Sequence, residues 1–150
     1  MRPGLRPVDA AEAADHAAIA ALTHLHETAF DAGDVDAHMA TWGPTLRMRS
    51  PFGDHDDHAG YRDWVTGFSE RMQAMGGTRH LITNAVVAVE GGTATQTAYL
   101  TVLGRTTDGG GPSLLATARF EDELTRTPEG WRFTSRTLHL DQDAAAFAGD

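Results

Sequence analysis

The main change in the hydrophobic period of the chain falls at Gly76-Gly77. Before this glycine pair, most apolar residues recur at helical spacing, and after it four segments rich in β-branched and aromatic residues are separated by short turns that contain glycine. The four segments are HLITNAVVAVE, TATQTAYLTVLGRT, SLLATARFEDELTR and WRFTSRTLHL. Helices followed by strands, without βαβ alternation, predict an α+β fold with the helices packed on one face of an antiparallel sheet.

The first half of the chain predicts three helices and one strand. Asp9 followed by Glu12 forms an acidic version of the capping box, so the first helix should begin at about residue 10. Asp34 can cap a second helix, VDAHMATW, which Gly43-Pro44 should stop. The alternating segment TLRMRS predicts a strand, and residues 61–75 predict a third helix. The expected order is α-α-β-α-β-β-β-β.

A curved antiparallel sheet with the N-terminal helices packed on its concave face forms a cone whose open end is a natural apolar pocket. The length of 150 residues fits one domain, residues 1–150, with a core of its own. Within it, we expect a loose N-terminal arm over residues 1–9 and a C-terminal tail over residues 142–150.

Composition limits the partners and the chemistry. All 12 basic residues are Arg, 21 residues are acidic and the net charge is −9, which disfavours nucleic acids and anionic membranes as partners. The absence of Lys and Cys excludes Schiff-base and thiolate chemistry. No segment approaches the roughly 20 apolar residues of a membrane span, and the N-terminus lacks the apolar core of a secretory signal. We expect a cytoplasmic protein that uses no cofactor and no metal.

Two histidines should face the pocket. His26 falls with Ile19 and Phe30 inside one arc of roughly 120° on the first helix, and His80 opens the first long strand. Either histidine alone could be structural, His26 as a hydrogen-bonded core residue and His80 as a strand-edge residue. Asp31, near the helix end, could orient a histidine and stabilise its cation, which makes a general base near neutral pH.

Other candidate residues keep two interpretations. The segment 53–58, GDHDDH, is the densest group of possible metal ligands, but a solvated loop is favoured over a metal site. His16, His24 and His38 are predicted on solvated helix faces. Arg79 could steer an anionic substrate or serve surface solvation, and the facing of His139 stays open. Side chains that could line the pocket or simply pack in the core are Trp42, Met48, Phe52, Trp64, Phe68 and Tyr99.

Three segments, FDAGDVDAHMATWGPTLRMRS, TRHLITN and EGWRF, lie within about residues 15–141. In this order they resemble the SnoaL-like and scytalone-dehydratase-like branch of the nuclear transport factor 2-like superfamily. The resemblance implies that an Asp near the end of the first helix pairs with a His that opens the first long strand, here Asp31 and His80. It also implies that His26 replaces a frequent pocket tyrosine, and that the outer face of the sheet forms a homodimer.

The chain departs from the scytalone dehydratase pattern at several positions. That pattern has tyrosines where this chain has Phe30 and Ser50, and a second histidine that falls near Gly104. Its Ser/Asn pair falls near Ala116 and Ala118. Because only the Asp–His pair is shared, we do not expect a scytalone dehydratase proper.

The resulting hypothesis is a cofactor-independent dehydratase, isomerase or aldol-type cyclase that acts on a small apolar carbonyl compound, such as a polyketide- or steroid-like intermediate. His80 would remove a proton α to the carbonyl, Asp31 would stabilise the imidazolium, and His26 would donate to the enolate oxygen or return the proton. Two alternatives stay open, because one fold serves many functions. They are a non-catalytic small-molecule-binding or assembly module, and the small subunit of a ring-hydroxylating oxygenase.

Overall fold

The computed structural model describes residues 4–106 and 108–147. Its elements in chain order are α1 (Ala10–Ala32), α2 (Val35–Met39), β1 (Trp42–Ser50), β2 (Gly53–His55), α3 (His58–Ala74), β3 (Thr78–Glu90), β4 (Thr93–Gly104), β5 (Ser113–Thr127), β6 (Gly130–Leu140) and a 3-10 helix (Ala144–Phe147). The helices pack against a six-stranded, curved and unclosed sheet. The predicted α+β class is confirmed.

The sheet has the strand order β2-β1-β6-β5-β4-β3. Its neighbours are antiparallel except β1 and β6, which are parallel. The prediction of a purely antiparallel sheet is therefore wrong at this pair, because β1 enters from the helices and no hairpin fixes its direction relative to β6. The predicted element order also lacks β2, which forms inside the expected polar loop by folding back on β1.

Bulges bend the long strands around the helices. The register between β3 and β4 shifts around Asn84, which has a positive φ of 54°. A second shift lies between Glu123 and Leu124, where β5 pairs with β6. Bulges increase strand twist and bend the sheet. The second bulge also changes which positions of β6 face the core, so that both Phe133 and Arg136 are buried.

Helix α1 begins and ends where the sequence indicates. The Asp9 carboxylate accepts a hydrogen bond of 2.8 Å from the backbone N–H of Glu12, which caps a helix that starts at Ala10. The Glu12 carboxylate does not complete the expected capping box by accepting from the Asp9 backbone N–H. It accepts two hydrogen bonds from Arg6 instead. Gly33 ends the helix in the left-handed conformation with a φ of 73°.

Helix α2 is shorter than predicted. It ends at Met39, and Trp42 already belongs to β1, where it pairs with Phe133. The backbone N–H of Phe133 donates to the Thr41 carbonyl at 3.0 Å, so sheet pairing ends the helix before Gly43-Pro44 can do so. Helix α3 begins earlier than predicted, because Asp57 caps it.

Residues 1–3 of the expected arm and residues 148–150 of the expected tail lie outside the described residues. No helix within residues 4–106 and 108–147 is long and apolar enough to cross a membrane.

The same substitution at two glycines should have opposite effects on stability. Gly33→Ala forces an L-residue into the left-handed region and should lower the free energy of unfolding by about 1 kcal/mol. Gly67→Ala, within α3, meets no atom within 4 Å of the added methyl group and should raise it by about 1 kcal/mol. Urea unfolding midpoints measure both. Equal shifts of the same sign would contradict the assigned backbone conformations.

Candidate active site

One carboxylate joins the end of α1 to the start of β3. Asp31 Oδ1 accepts hydrogen bonds from His80 Nδ1 at 2.6 Å and from the Thr78 hydroxyl at 2.9 Å. Asp31 Oδ2 accepts from the backbone N–H of His80 at 2.8 Å. The side chains of His80 and Asp31 are only 12% and 10% exposed. The two residues that the family resemblance paired are thus in direct contact.

The hydrogen bonds define the proton positions on His80. A carboxylate only accepts, so Nδ1 carries a proton, and Nε2 of the neutral ring has a lone pair. Within the described residues, no group forms a hydrogen bond with Nε2 of His80. Because His80 lines a cavity, this lone pair is available to a ligand as a base.

The surroundings of His80 favour its charged form. Burial lowers the pKa of His80, but the hydrogen bond that His80 donates to Asp31 and the charges of Glu27 and Asp31 together outweigh burial, so the pKa lies above its ordinary value. For Asp31, burial acts to raise the pKa. The hydrogen bonds and charge of His80 outweigh it, and the pKa of Asp31 lies below its ordinary value.

His26 has the opposite character. Its Nδ1 lies 2.7 Å from Thr41 Oγ1, and that hydroxyl donates to the His38 carbonyl at 2.6 Å, so Nδ1 of His26 must be the donor. Burial, with the nearby charges of His38 and Arg136, lowers the pKa of His26 well below its ordinary value. The ring is therefore neutral, with a lone pair on Nε2. The expected role of His26 as a donor to an enolate oxygen requires a proton on Nε2, which this geometry opposes.

His38 was predicted on a solvated face and is instead buried. Its Nδ1 donates to the His26 carbonyl at 2.9 Å, so its Nε2 accepts a hydrogen bond of 2.9 Å from the hydroxyl of Tyr61. The His38 ring lies 3.8 Å from the His26 ring, centroid to centroid. Sequence reasoning missed His38, because α2 has only five residues, too few to define a buried face. It also missed Tyr61, which lies in the first turn of α3. His24 is exposed, as predicted.

A buried ionic network lies beneath the same cavity. The guanidinium of Arg136, 2% exposed, donates to Glu27 at 2.7 Å and to Asp122 at 2.7 and 3.1 Å. Gln96 donates to Asp122 at 2.9 Å, which satisfies the carboxylate further. The guanidinium also lies 3.8 Å from the centre of the Phe120 ring. Burial lowers the pKa of Arg136, but the two carboxylates outweigh burial and raise it, so the guanidinium stays charged.

The network was also missed, but the sequence holds a signal for it. On β6, the large apolar residues change parity, from Trp131 and Phe133 to Leu138 and Leu140. Such a change indicates a bulge between the two pairs. Arg136 has the parity of the second pair and therefore points inward with it.

The cavity between α1, α3 and the sheet has a volume of about 100 Å³. His26, Glu27, His38, Tyr61, His80 and Arg136 supply its main polar groups. Its apolar wall is formed by Phe30, Met48, Phe52, Trp64, Val65, Phe68, Met72, Leu100, Val102, Leu115, Ala116, Phe120, Leu138 and Leu140. A few polar groups inside an apolar wall are typical of a small-molecule site.

Four of the six expected lining residues, Met48, Phe52, Trp64 and Phe68, lie at the cavity. Trp42 does not line it but packs in the core, edge-on to Tyr61 and His26. Tyr99 is 55% exposed on the opposite face of the sheet, so its expected pocket role is wrong. Alternation along β4 directs the neighbouring Ala98 and Leu100 inward and Tyr99 outward.

The remaining candidates lie away from the cavity. Arg79 is exposed and donates to the Thr78 carbonyl. His139 is 46% exposed and lies 3.2 Å from Glu121 on the neighbouring strand, which settles its facing as outward. Among residues 4–106 and 108–147, no group of three or more potential ligands is arranged to hold a metal ion. The segment 53–58 consists of β2, the two residues after it and the first residue of α3.

The SnoaL-like domain family model matches residues 11–137. The chain therefore belongs to the SnoaL-like domain family, as the sequence segments predicted. No curated protein matches the sequence.

Solved structures agree with this assignment. An NTF2-like protein with a cystatin-like fold from Novosphingobium aromaticivorans is 27% identical, with a TM-score of 0.78 and coverage of 92% of this chain and 90% of that chain. A protein of the same organism, named as a candidate aromatic ring hydroxylase, is also 27% identical, with a TM-score of 0.70 and coverage of 87% and 91%. A candidate scytalone dehydratase of that organism is 15% identical, with a TM-score of 0.75 and 87% coverage of both chains, which supports the fold alone.

The shifted pKa values predict how Asp31→Asn acts. Loss of the carboxylate should lower the pKa of His80, because burial then has less opposition. NMR titration of the His80 ring measures this shift, and Asp34→Asn, whose carboxylate caps α2, is the matched control. A His80 titration that is unchanged in Asp31→Asn would contradict the pairing.

The same pair should affect stability within a limited pH window. The raised pKa of His80 contributes stability at lower pH, and this is lost as the pH rises through the folded-state value. The lowered pKa of Asp31 contributes stability at higher pH, and this is lost as the pH falls through its folded-state value. The difference in unfolding free energy between wild type and Asp31→Asn should therefore be largest between these two pKa values.

Removal of the buried guanidinium of Arg136 should strongly lower the stability of the fold. Arg136→Met leaves Glu27 and Asp122 buried without their cation, and should lower the free energy of unfolding by about 3–5 kcal/mol. Arg132→Met, on the same strand, removes a guanidinium that bonds only backbone carbonyls and should change it by less than about 0.5 kcal/mol. Similar unfolding midpoints for the two variants in urea would contradict the importance of the network.

Proposed function

We propose that this protein is a cofactor-independent acid–base enzyme that moves a proton within a small carbonyl compound. The observation that carries the proposal is the contact between Asp31 and His80 at the edge of an apolar cavity. A carboxylate that holds Nδ1–H leaves Nε2 as the base, and it stabilises the imidazolium that forms when Nε2 takes a proton.

The reaction needs only one proton carrier. His80 Nε2 takes a proton from the carbon α to the carbonyl, and the electron pair moves onto the carbonyl oxygen as an enolate. In a β,γ-unsaturated compound the imidazolium then returns the proton to the γ-carbon as the double bond moves to the α,β position, which is an isomerisation. In a β-hydroxy compound the imidazolium gives the proton to the hydroxyl group, which leaves as water as the Cα=Cβ bond forms, and this is a dehydration. In both cases atoms and charges balance without an external reactant.

The apolar wall supports this chemistry. Within a poorly solvated site, the attraction between Asp31 and the imidazolium of His80 is stronger than in water. Thr78 and the backbone N–H of His80 hold both carboxylate oxygens, so the pair is organised before the ligand arrives. General acid–base catalysis of this kind accelerates a reaction by about 10²–10⁴-fold.

Hydrogen–deuterium exchange tests the proposal without knowledge of the natural substrate. In D₂O, wild-type protein should accelerate deuterium uptake at the α-carbon of cyclohexanone and the loss of water from 3-hydroxycyclohexanone, followed by NMR. His80→Gln should lower either acceleration by about 10²-fold or more, because it removes the base. His24→Gln, at an exposed position of α1, should leave both unchanged.

The outcomes also separate the alternatives. Unchanged exchange in a folded His80→Gln variant would refute the proposed base. Saturable binding of cyclohexanone by wild type without any exchange would favour a non-catalytic binding module instead.

A further inference from the structure

Three histidines line the cavity, and two of them, His26 and the neutral form of His80, leave Nε2 free as a hydrogen-bond acceptor. Nδ1 of His26 donates to Thr41, and Nδ1 of His80 donates to Asp31. Within residues 4–106 and 108–147, no hydrogen bond reaches Nε2 of His26, although the residue is only 2% exposed. A ligand that fills this space therefore meets a lone pair at His26.

An unpaired acceptor in a buried site is unfavourable unless a ligand supplies a donor. His26 cannot respond by taking a proton, because burial and the neighbouring charges of His38 and Arg136 oppose a cation there. The ring of His38, tilted by 35° and 3.8 Å away centroid to centroid, also packs against the His26 ring. The matching ligand group is a hydroxyl or another neutral donor.

Charge excludes one class of ligand. The carboxylates of Glu27, Asp122 and Asp31 lie at or just behind the cavity wall and outnumber the guanidinium of Arg136 together with the imidazolium of His80. Both Arg136 and His80 are already paired with these carboxylates. An anionic ligand would thus be repelled by a buried excess of negative charge.

Size limits the ligand further. A cavity of about 100 Å³ is comparable with the engineered apolar cavity of about 150 Å³ that binds benzene in another protein. One six-membered ring is therefore the scale of ligand that this cavity encloses.

We propose that His26 Nε2 is a specificity-determining acceptor that selects a neutral, single-ring compound carrying a hydroxyl group. The proposal rests on the proposed function in placing the substrate in this cavity, and it narrows the substrate to this class. The hydroxyl donates to His26 Nε2 while the remainder of the ring lies against the apolar wall. The reacting carbon then lies on the side of His80.

Binding of phenol and toluene tests the proposal directly, because the two differ by a hydroxyl in place of a methyl group. The ratio of the toluene Kd to the phenol Kd, measured by calorimetry or ligand-observed NMR, should fall by about three- to tenfold in His26→Leu, as expected for one net hydrogen bond. The ratio should be unchanged in His24→Leu, an exposed position on the same helix. Benzoate should bind at least tenfold more weakly than phenol.

A second measurement needs no variant and covers the case in which His26→Leu does not fold. Saturation of the wild-type protein with phenol should move the ¹⁵N resonance of His26 Nε2 upfield, as a lone pair that accepts a hydrogen bond does, and toluene should not. Phenol saturation without this shift would overturn the proposal, as would an unchanged Kd ratio in a folded His26→Leu variant.

The His80→Gln variant distinguishes a failure of the proposed proton transfer from a failure of the proposed role of His26. It should lose deuterium exchange and keep the preference for phenol over toluene. Loss of the preference in His80→Gln, with retention in His26→Leu, would assign the acceptor to His80 and contradict the role of His26. Loss of exchange alone would leave the role of His26 intact.

Discussion

The contact on which the structure depends is the one between the Asp31 carboxylate and the first residues of β3. Three hydrogen bonds, from His80 Nδ1, the His80 backbone and Thr78, converge on its two oxygens. They connect the last turn of α1 to the sheet edge and fix the tautomer of His80 at the same time. Fold and chemistry therefore share one interaction, and a change in its charge affects both.

The second constraint is the buried charge of Arg136. Three charged side chains in the core are stable only because each hydrogen bond is matched, Arg136 to Glu27 and Asp122, and Asp122 to Gln96. This network also sets the electrostatics of the cavity, since the charge of Glu27 raises the pKa of His80 while that of Arg136 lowers the pKa of His26. Together with the burial of His26 and the hydrogen bond that His80 donates to Asp31, these charges make the two histidines differ, one able to carry a proton and the other held neutral.

Much of the fold is readable from the sequence, because the change from helical to alternating period and the glycine turns are local signals. Less of the candidate active site can be predicted from the sequence. Asp31 falls outside the apolar arc of an ideal α1, and only the family resemblance paired it with His80. Arg136 was missed because a bulge inverts alternation on β6, and His38 because its helix is one turn long. Such features depend on how distant segments pack, which periodicity within one segment does not report.

The proposed reaction depends on His80, held by Asp31, as the group that carries the proton. The most direct test is to compare two pH profiles in wild-type protein, the rate of α-deuterium exchange into cyclohexanone and the NMR titration of the His80 ring. We expect exchange to rise with pH through the same pKa at which the ring loses its proton, and both curves to shift together in Asp31→Asn. An exchange rate that does not follow the titration of His80 would contradict the account.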